Sequence, residues 1–366
     1  MKPTPVQLRT RETAAARGGY TFEEALVSPC LDCDETVCCQ IVFLETFEVA
    51  TLHDLDRCRY LLNFAGIELG VADNGTWSVA YRVPCRFLDP DTHGCTIHDS
   101  PDLPENCRAY DAYDCRYRQV LLRQTDQIVR LDRRRFEALL GEVRFDRDRR
   151  IAALPPWEWV VEVVGAMPFD EPRAEPAHDA VLDRWRTEAG TAVAAPERRP
   201  LRVDHPRLVD PCSGCGAWCC DTLRFPVASP PDHRGLDRLK FALGFPGVEV
   251  GITDGEWWLV VKARCRHLAD GRCTVYGTAD RPLVCSQYDA RSCTYVHTHG
   301  ETRPEGYLRV TLAELRWVAE TMAFAPDGDL VAMPPVDDLR EHVERRLHEA
   351  HHGLPHEPFE FPFPVA

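Results

Sequence analysis

The chain has 366 residues, of which 44% are apolar and 28% charged, with 17 cysteines and a formal net charge of −15. Such a length has room for two domains with cores of their own, and the composition is that of an ordinary globular protein. The acidic balance argues against a nucleic-acid partner, whose phosphates the summed field would repel, and no apolar run approaches the roughly 18 residues of a membrane span.

Residues 1–22 form a polar, Arg-containing segment without the apolar core of a secretory signal, so a cytoplasmic location is expected. In that reducing compartment, clustered cysteines read as metal ligands rather than as a disulfide framework, and the odd cysteine count fits complete pairing poorly. A first domain is expected over 23–150. It opens with Cys30, Cys33, Cys38 and Cys39. Thr51 is placed to cap a helix carrying Leu52, Leu55, Cys58 and Leu62 on one face. Asn74-Gly75 then turns the chain into a strand in which Trp77, Val79, Tyr81 and Val83 alternate with Ser78, Ala80 and Arg82. Cys85 and Cys95 flank a smaller hairpin around Thr92-His93-Gly94, and Cys107 and Cys115 follow. Asp132 precedes a closing helix with Phe136, Leu139 and Leu140 inward. The Arg-rich stretch from Arg130 to Arg150, interleaved with Asp132, Glu137, Glu142, Asp146 and Asp148, reads as a solvated helix face laced with ion pairs.

Residues 151–211, rich in proline and charge from 168 onward, are expected to be a linker. A second domain is expected over 212–330. It begins with Cys212, Cys215, Cys219 and Cys220, followed by a helix with Leu236, Leu239 and Leu243 inward. The turn Asp254-Gly255 leads into Trp257, Leu259, Val261 and Ala263. Cys265 and Cys273 bracket a hairpin at Asp270-Gly271, Cys285 and Cys293 follow, and Thr311-x-x-Glu314 forms a capping box before a last helix. Residues 331–366 are a tail with a short charged helix.

The second half therefore rewrites the first. The cysteine gaps run C-x2-C-x4-C-C, then 45, 9, 11 and 7 residues in one half, and C-x2-C-x3-C-C, then 44, 7, 11 and 7 in the other. Leu55-Asp56-Arg57 matches Leu236-Asp237-Arg238, Gly66-Ile67-Glu68-Leu69-Gly70-Val71 matches Gly247-Val248-Glu249-Val250-Gly251-Ile252, and Trp77 matches Trp257. The expected fold class is α+β: two homologous small cysteine-rich domains, each with helices and short antiparallel hairpins.

Eight thiolates per domain make two four-ligand sets, which is what tetrahedral zinc or an iron–sulfur cluster requires. If the adjacent cysteines are locally extended, their side chains point to opposite sides, which favours two centres per domain sharing the C-C segment over one site with surplus cysteines. Zinc is placed first, because closed four-thiolate sites stabilise small folds. Iron or a [4Fe-4S] cluster is the alternative, although the ferredoxin run ending in Cys-Pro is absent. Cys58 has no counterpart in the second half, where Leu239 stands, and reads as a small buried hydrophobe. His53 and His233, at equivalent places, read as surface residues at helix starts.

Cys212, Cys215, Cys219, Cys220, Cys265, Leu268, Asp270, Gly271, Cys273, Val275, Tyr276, Arg281, Pro282, Cys285 and Tyr288 give the second half a pattern that resembles the bacterial YkgJ-type cysteine-cluster family of zinc- or iron-chelating domains. In the first half Tyr276 becomes His98 and Arg281-Pro282 becomes Leu103-Pro104. The resemblance spans roughly 30–115 and 212–293 and implies metal chelation. The family usually occurs as a single copy. A related branch contains flagellin lysine methylases, which would imply an S-adenosylmethionine-using enzyme, but no Gly-rich nucleotide loop accompanies it here. Three functions follow as expectations: a module that metal ions hold in shape and that presents an interaction surface to a protein partner; a metal- or iron–sulfur-dependent, protein-modifying enzyme; and a metal store or sensor. No Ser-His-Asp, phosphate-loop or HExxH signature is present.

Overall fold

The computed structural model describes residues 37–92, 94–98, 100, 102–108, 128–169, 218–227, 231–253, 256–270, 272–287 and 307–351. These fold as helices and antiparallel strands, an α+β architecture. They divide into two compact units. Of the described residues, those within 37–50, 68–169 and 244–246 make the first, and those within 51–67, 218–243 and 247–351 the second. The units do not coincide with the two halves of the repeat.

In the first unit β1 (Ile41–Phe47), β2 (Ile67–Ala72), β3 (Trp77–Arg82) and β4 (Ile128–Leu131) form a sheet in the order β1-β3-β2-β4. The expected turn closes on Gly75 at φ 81°, a conformation that glycine adopts at little cost, and Asn74 Oδ1 accepts from Thr76 N at 3.0 Å. Trp77, Val79 and Tyr81 are all but inaccessible. Trp77 meets Phe136 edge-on, ring centroids 6.4 Å apart, and Phe136 lies on the helix Arg133–Glu142, whose N-cap Asp132 accepts from Arg135 N at 2.8 Å.

The alternation expected of β3 is only half realised, since Ser78 and Ala80 are buried too. Their face also carries Glu68, which accepts from Arg130 Nε and Nη2 at 2.9 Å each and is paired with Arg82. Arg135 donates to the carbonyl oxygens of Arg130 at 3.0 Å, Gly165 at 3.0 Å and Met167 at 3.1 Å. Arg130 and Arg135 lie 4.2 and 4.9 Å from the Phe169 ring centroid. Only part of the Arg-rich stretch is thus the solvated face expected of it: Arg133 and Glu137 pair at 3.8 Å at the surface, whereas Arg130 and Arg135 fasten residues 165–169 to the sheet. Of the expected linker, residues 151–169 are structured, with β6 (Ile151–Ala153) pairing β5 (Arg144–Phe145); residues 170–211 lie outside the described set.

The second unit repeats the sheet. Its strands β7 (Thr222–Val227), β8 (Val248–Thr253), β9 (Glu256–Lys262) and β12 (Leu308–Val310) follow the order β7-β9-β8-β12. Glu249 stands where Glu68 does and accepts from Arg309 Nε at 2.9 Å, with Lys262 Nζ at 3.9 Å. The helix Leu312–Glu320 starts on the expected capping box, Thr311 N donating to Glu314 Oε2 at 2.6 Å. The C-terminal helix is longer than expected, Val336–His351. It buries Val336, Leu339 and Val343 and sets Arg346 3.3 Å from Glu320. Also in this unit is α1 (Leu52–Leu61), with its own capping box: Asp54 N donates to Thr51 Oγ1 at 3.2 Å and Thr51 N to Asp54 Oδ2 at 2.8 Å. Cys58 on α1 is fully buried. Among the described residues, no helix is long and apolar enough to cross a membrane.

Candidate metal centre

The thiols gather at one end of each sheet because the strand pairing delivers them there. Cys38 and Cys39 close a 3-10 turn, Val37–Cys39, just before β1. The β1–β3 pairing runs on past the strand ends through Val83 N to Gln40 O at 3.1 Å and Cys85 N to Cys39 O at 2.6 Å. The small hairpin then folds back, with Leu88 bridged to Cys95. Pro104 starts the short helix α2 (Glu105–Arg108), where Cys107 N donates to Pro104 O at 2.9 Å.

The second unit repeats each step. Cys219 and Cys220 end the 3-10 turn Trp218–Cys220. Cys265 N donates to Cys220 O at 2.6 Å, and Ala263 N to Asp221 O at 3.1 Å. In the hairpin β10 (Leu268–Ala269) and β11 (Arg272–Cys273), Leu268 is partnered with Cys273. Cys285 N donates to Pro282 O at 3.0 Å at the start of the helix Leu283–Ser286.

Ten of the sixteen expected ligands are thereby placed: Cys38, Cys39, Cys85, Cys95 and Cys107 in the first unit, and Cys219, Cys220, Cys265, Cys273 and Cys285 in the second. All ten are partly buried. Cys30, Cys33, Cys115, Cys212, Cys215 and Cys293 lie outside the described residues.

The adjacent pair behaves differently from the extended geometry expected of it. A 3-10 turn rotates successive side chains by a third of a turn rather than a half, and the two sulfurs of Cys38 and Cys39 lie 3.9 Å apart. They face one side, not two. A tetrahedral ion with Zn–S bonds of about 2.3 Å has ligand sulfurs about 3.8 Å apart along each edge, so the pair already spans such an edge.

The thiols of each group feel one another. Cys39 is pushed up by its hydrogen bond with Cys38, then by burial, then by the nearby sulfurs of Cys38, Cys85 and Cys107, while Cys38 is lowered by the same hydrogen bond. Cys220 is raised and Cys219 lowered in the same way. Burial raises Cys85, with Cys95 and Cys38 adding to it. It also pushes Cys285 up to about 12, helped by Cys265, Cys219 and Cys273 and opposed by Arg281. A cation among them would offset the cost of ionising several of these sulfurs together. Among the described residues, no three His, Cys, Asp or Glu side chains form a ready ligand set. The donor type and the pair spacing suit a thiophilic ion, and no four-ligand shell closes among the described residues.

The two groups have different surroundings. Arg281 donates to Cys285 O at 2.7 Å and stacks on Tyr276 at 4.2 Å; the corresponding Leu103 is buried and uncharged. Tyr60, on α1, lies close to Cys285, Cys219, Cys220 and Cys265, and burial together with those sulfurs raises its hydroxyl well above the ordinary value. Asp56, one turn earlier, accepts from Leu283 N at 2.5 Å. Neither Tyr60 nor Asp56 was expected at a thiol group from the sequence. The one available signal was the Leu-Asp-Arg recurrence, an acid on the inner side of a helix in both halves. His53 is exposed as expected, whereas His233 packs on Phe324, ring centroids 4.3 Å apart.

No protein-family model, curated protein or solved structure matches this chain.

Proposed function

We propose that the chain is a tandem cysteine-cluster protein of the YkgJ-like type, in which thiolates of each homologous unit coordinate zinc and the ions hold the units in shape for an interaction with another protein in the cytoplasm. The observation that carries this reading is the same in both units: five partly buried cysteines on a 3-10 turn, the strand-end segment paired with it, a small hairpin and a proline-started helix turn, two of them adjacent on the 3-10 turn. In the first unit those two sulfurs are a tetrahedral edge apart. Each adjacent pair then gives both sulfurs to one ion, in place of the two centres that an extended pair would serve. Bound metal supplies folding free energy to small units of this kind.

Anaerobic purification with elemental analysis and an absorption spectrum tests it. Colourless protein with at least one zinc per unit, and loss of the cooperative thermal transition on chelation, is the expected result. A brown protein carrying iron and sulfide, with a band at roughly 400 nm, would replace zinc by an iron–sulfur cluster. Fully demetallated protein that keeps its transition would remove the structural role altogether.

A further inference from the structure

The unit that holds Cys219, Cys220, Cys265, Cys273 and Cys285 also holds residues 51–67, which in sequence belong to the first half. Phe64 forms an antiparallel bridge with Cys265. On either side of it, Ala65 N donates to Arg264 O at 3.1 Å and Arg266 N to Asn63 O at 2.8 Å. Asp56 supplies a separate link. Its Oδ2 accepts from Leu283 N, the first amide of the helix that carries Cys285, and a helix leaves that amide without a partner of its own. Cys265 and Cys285 are thus each held, through their own backbone segments, by α1 and the turn after it.

The first unit has the reciprocal arrangement. Gly244–Pro246 belongs to it, Arg86 N donates to Gly244 O at 2.9 Å beside Cys85, and Phe245 is fully buried. Asn63-Phe64-Ala65-Gly66 and Gly244-Phe245-Pro246-Gly247 occupy corresponding places in the two halves. Both turns end on a glycine of positive φ, 75° at Gly66 and 79° at Gly247. Pro246 has no amide hydrogen, so the Ala65 link is one that this second copy of the turn cannot make.

We propose that each thiol group is completed by the turn of the other half, and that α1 with residues 62–67 is the positioning element of the second group. On this reading neither half holds its cysteines in place by itself. The proposal deepens the metal reading, yet its geometry concerns the thiols whether or not an ion is bound.

The test uses the full-length chain with Asp56→Ala, Asp56→Asn and Ala65→Pro, and follows iodoacetamide modification of each cysteine by peptide mass spectrometry in the protein as purified. Asp56→Ala should raise the rates at Cys265 and Cys285 about tenfold while Cys85 and Cys107 change less than about twofold, as expected for local opening with the other group intact. Asp56→Asn keeps an oxygen that accepts from Leu283 N and should stay near the parent. Ala65→Pro removes one hydrogen bond, puts in the residue that the corresponding turn already has, and should give a smaller rise at Cys265 only. Cobalt titration of the same proteins adds a spectroscopic readout: Asp56→Ala should lose about half of the thiolate-to-metal band, one group of two. Equal acceleration at both sets of cysteines, or none at Cys265 and Cys285 in either Asp56→Ala or Ala65→Pro, overturns the proposal. A parent protein that takes up no cobalt overturns the metal reading instead, and the modification pattern still decides this one.

Discussion

Glu249 and Glu68 occupy the same place in the two sheets, yet the cations around them differ in access to water, and this makes a paired substitution informative. Glu249 is 8% exposed, Lys262 1% and Arg309 20%. Glu249→Gln removes the negative charge while Lys262 stays in a position that water does not reach. Breaking a buried ion pair from one side costs about 3–5 kcal/mol, because the remaining charge is left uncompensated. For units of this size that is a fall in Tm of roughly 6–20 °C, at about 2–4 °C per kcal/mol. Glu68 is 2% exposed, but its partners Arg82 and Arg130 are 18% and 42% exposed. Both guanidinium groups can rehydrate, so Glu68→Gln should cost about 1–2 kcal/mol, the loss of charge-assisted hydrogen bonds partly offset by solvent. Urea titrations followed by far-UV circular dichroism would measure both. The double substitution Glu249→Leu with Lys262→Met should recover most of the loss, since it leaves no ion buried. Equal costs at Glu68 and Glu249, or a double variant no better than Glu249→Gln, would refute the burial reasoning.

At Gly251 an added Cβ would meet the Tyr307 ring at 2.8 Å, so Gly251→Ala should destabilise the second unit by about 1–3 kcal/mol, read as a lower urea midpoint. Thr51→Ala removes the capping box of α1 and should cost about 1 kcal/mol, seen as faster amide exchange at Leu55 and, with α1 loosened, at Cys265. Cys58 is pushed from 9.0 up to about 12 by burial. The folded state then holds its proton more tightly than the unfolded one, so this contribution is complete below pH 9 and is lost as pH rises toward about 12. Comparison of the parent with Cys58→Val should show the parent losing more stability between pH 8 and pH 10.5. Parallel losses in the two proteins would refute the assignment.

The local elements were largely legible. The caps at Thr51 and Asp132, the capping box at Thr311 and the turn at Gly75 depend on residues within a few positions of one another, and they stand where side-chain chemistry places them. The orientation of the adjacent cysteines was misjudged because a two-residue pattern does not show whether the backbone is extended or turned, and only the 3-10 conformation puts both sulfurs on one side. The burial of Ser78 and Ala80 was missed for a different reason. Alternation predicts one wet face, whereas the buried Glu68 with its two arginines makes a covered polar layer that periodicity does not register. The placing of α1 beside the second set of cysteines was least accessible. Asp56 and Leu283 are 227 residues apart, and nothing local to either names the other.

Grouped thiols are a local conflict that the rest of the fold maintains. Cys39 and Cys220 are raised first by the hydrogen bond with the neighbouring cysteine and then by burial and nearby sulfurs, and Cys285 by burial and nearby sulfurs, so ionised thiols do not favour one another's company. They meet because each sits at the end of an element that is fixed for other reasons: the β1–β3 and β7–β9 pairings, a short hairpin, and a proline-started helix turn. Sequences that are otherwise locally consistent concentrate such conflicts at sites with a task. On the proposed reading a cation would resolve this one, since it would turn repulsion among thiolates into shared attraction and release their protons. The same construction occurs twice, with a lysine or arginine beside the buried glutamate in each sheet and a glycine of positive φ ending each turn, and this ties the two groups to the scaffold rather than to chance proximity. A guanidinium acts on thiols in both groups, Arg86 lowering Cys85 in the first and Arg281 lowering Cys219 and Cys285 in the second.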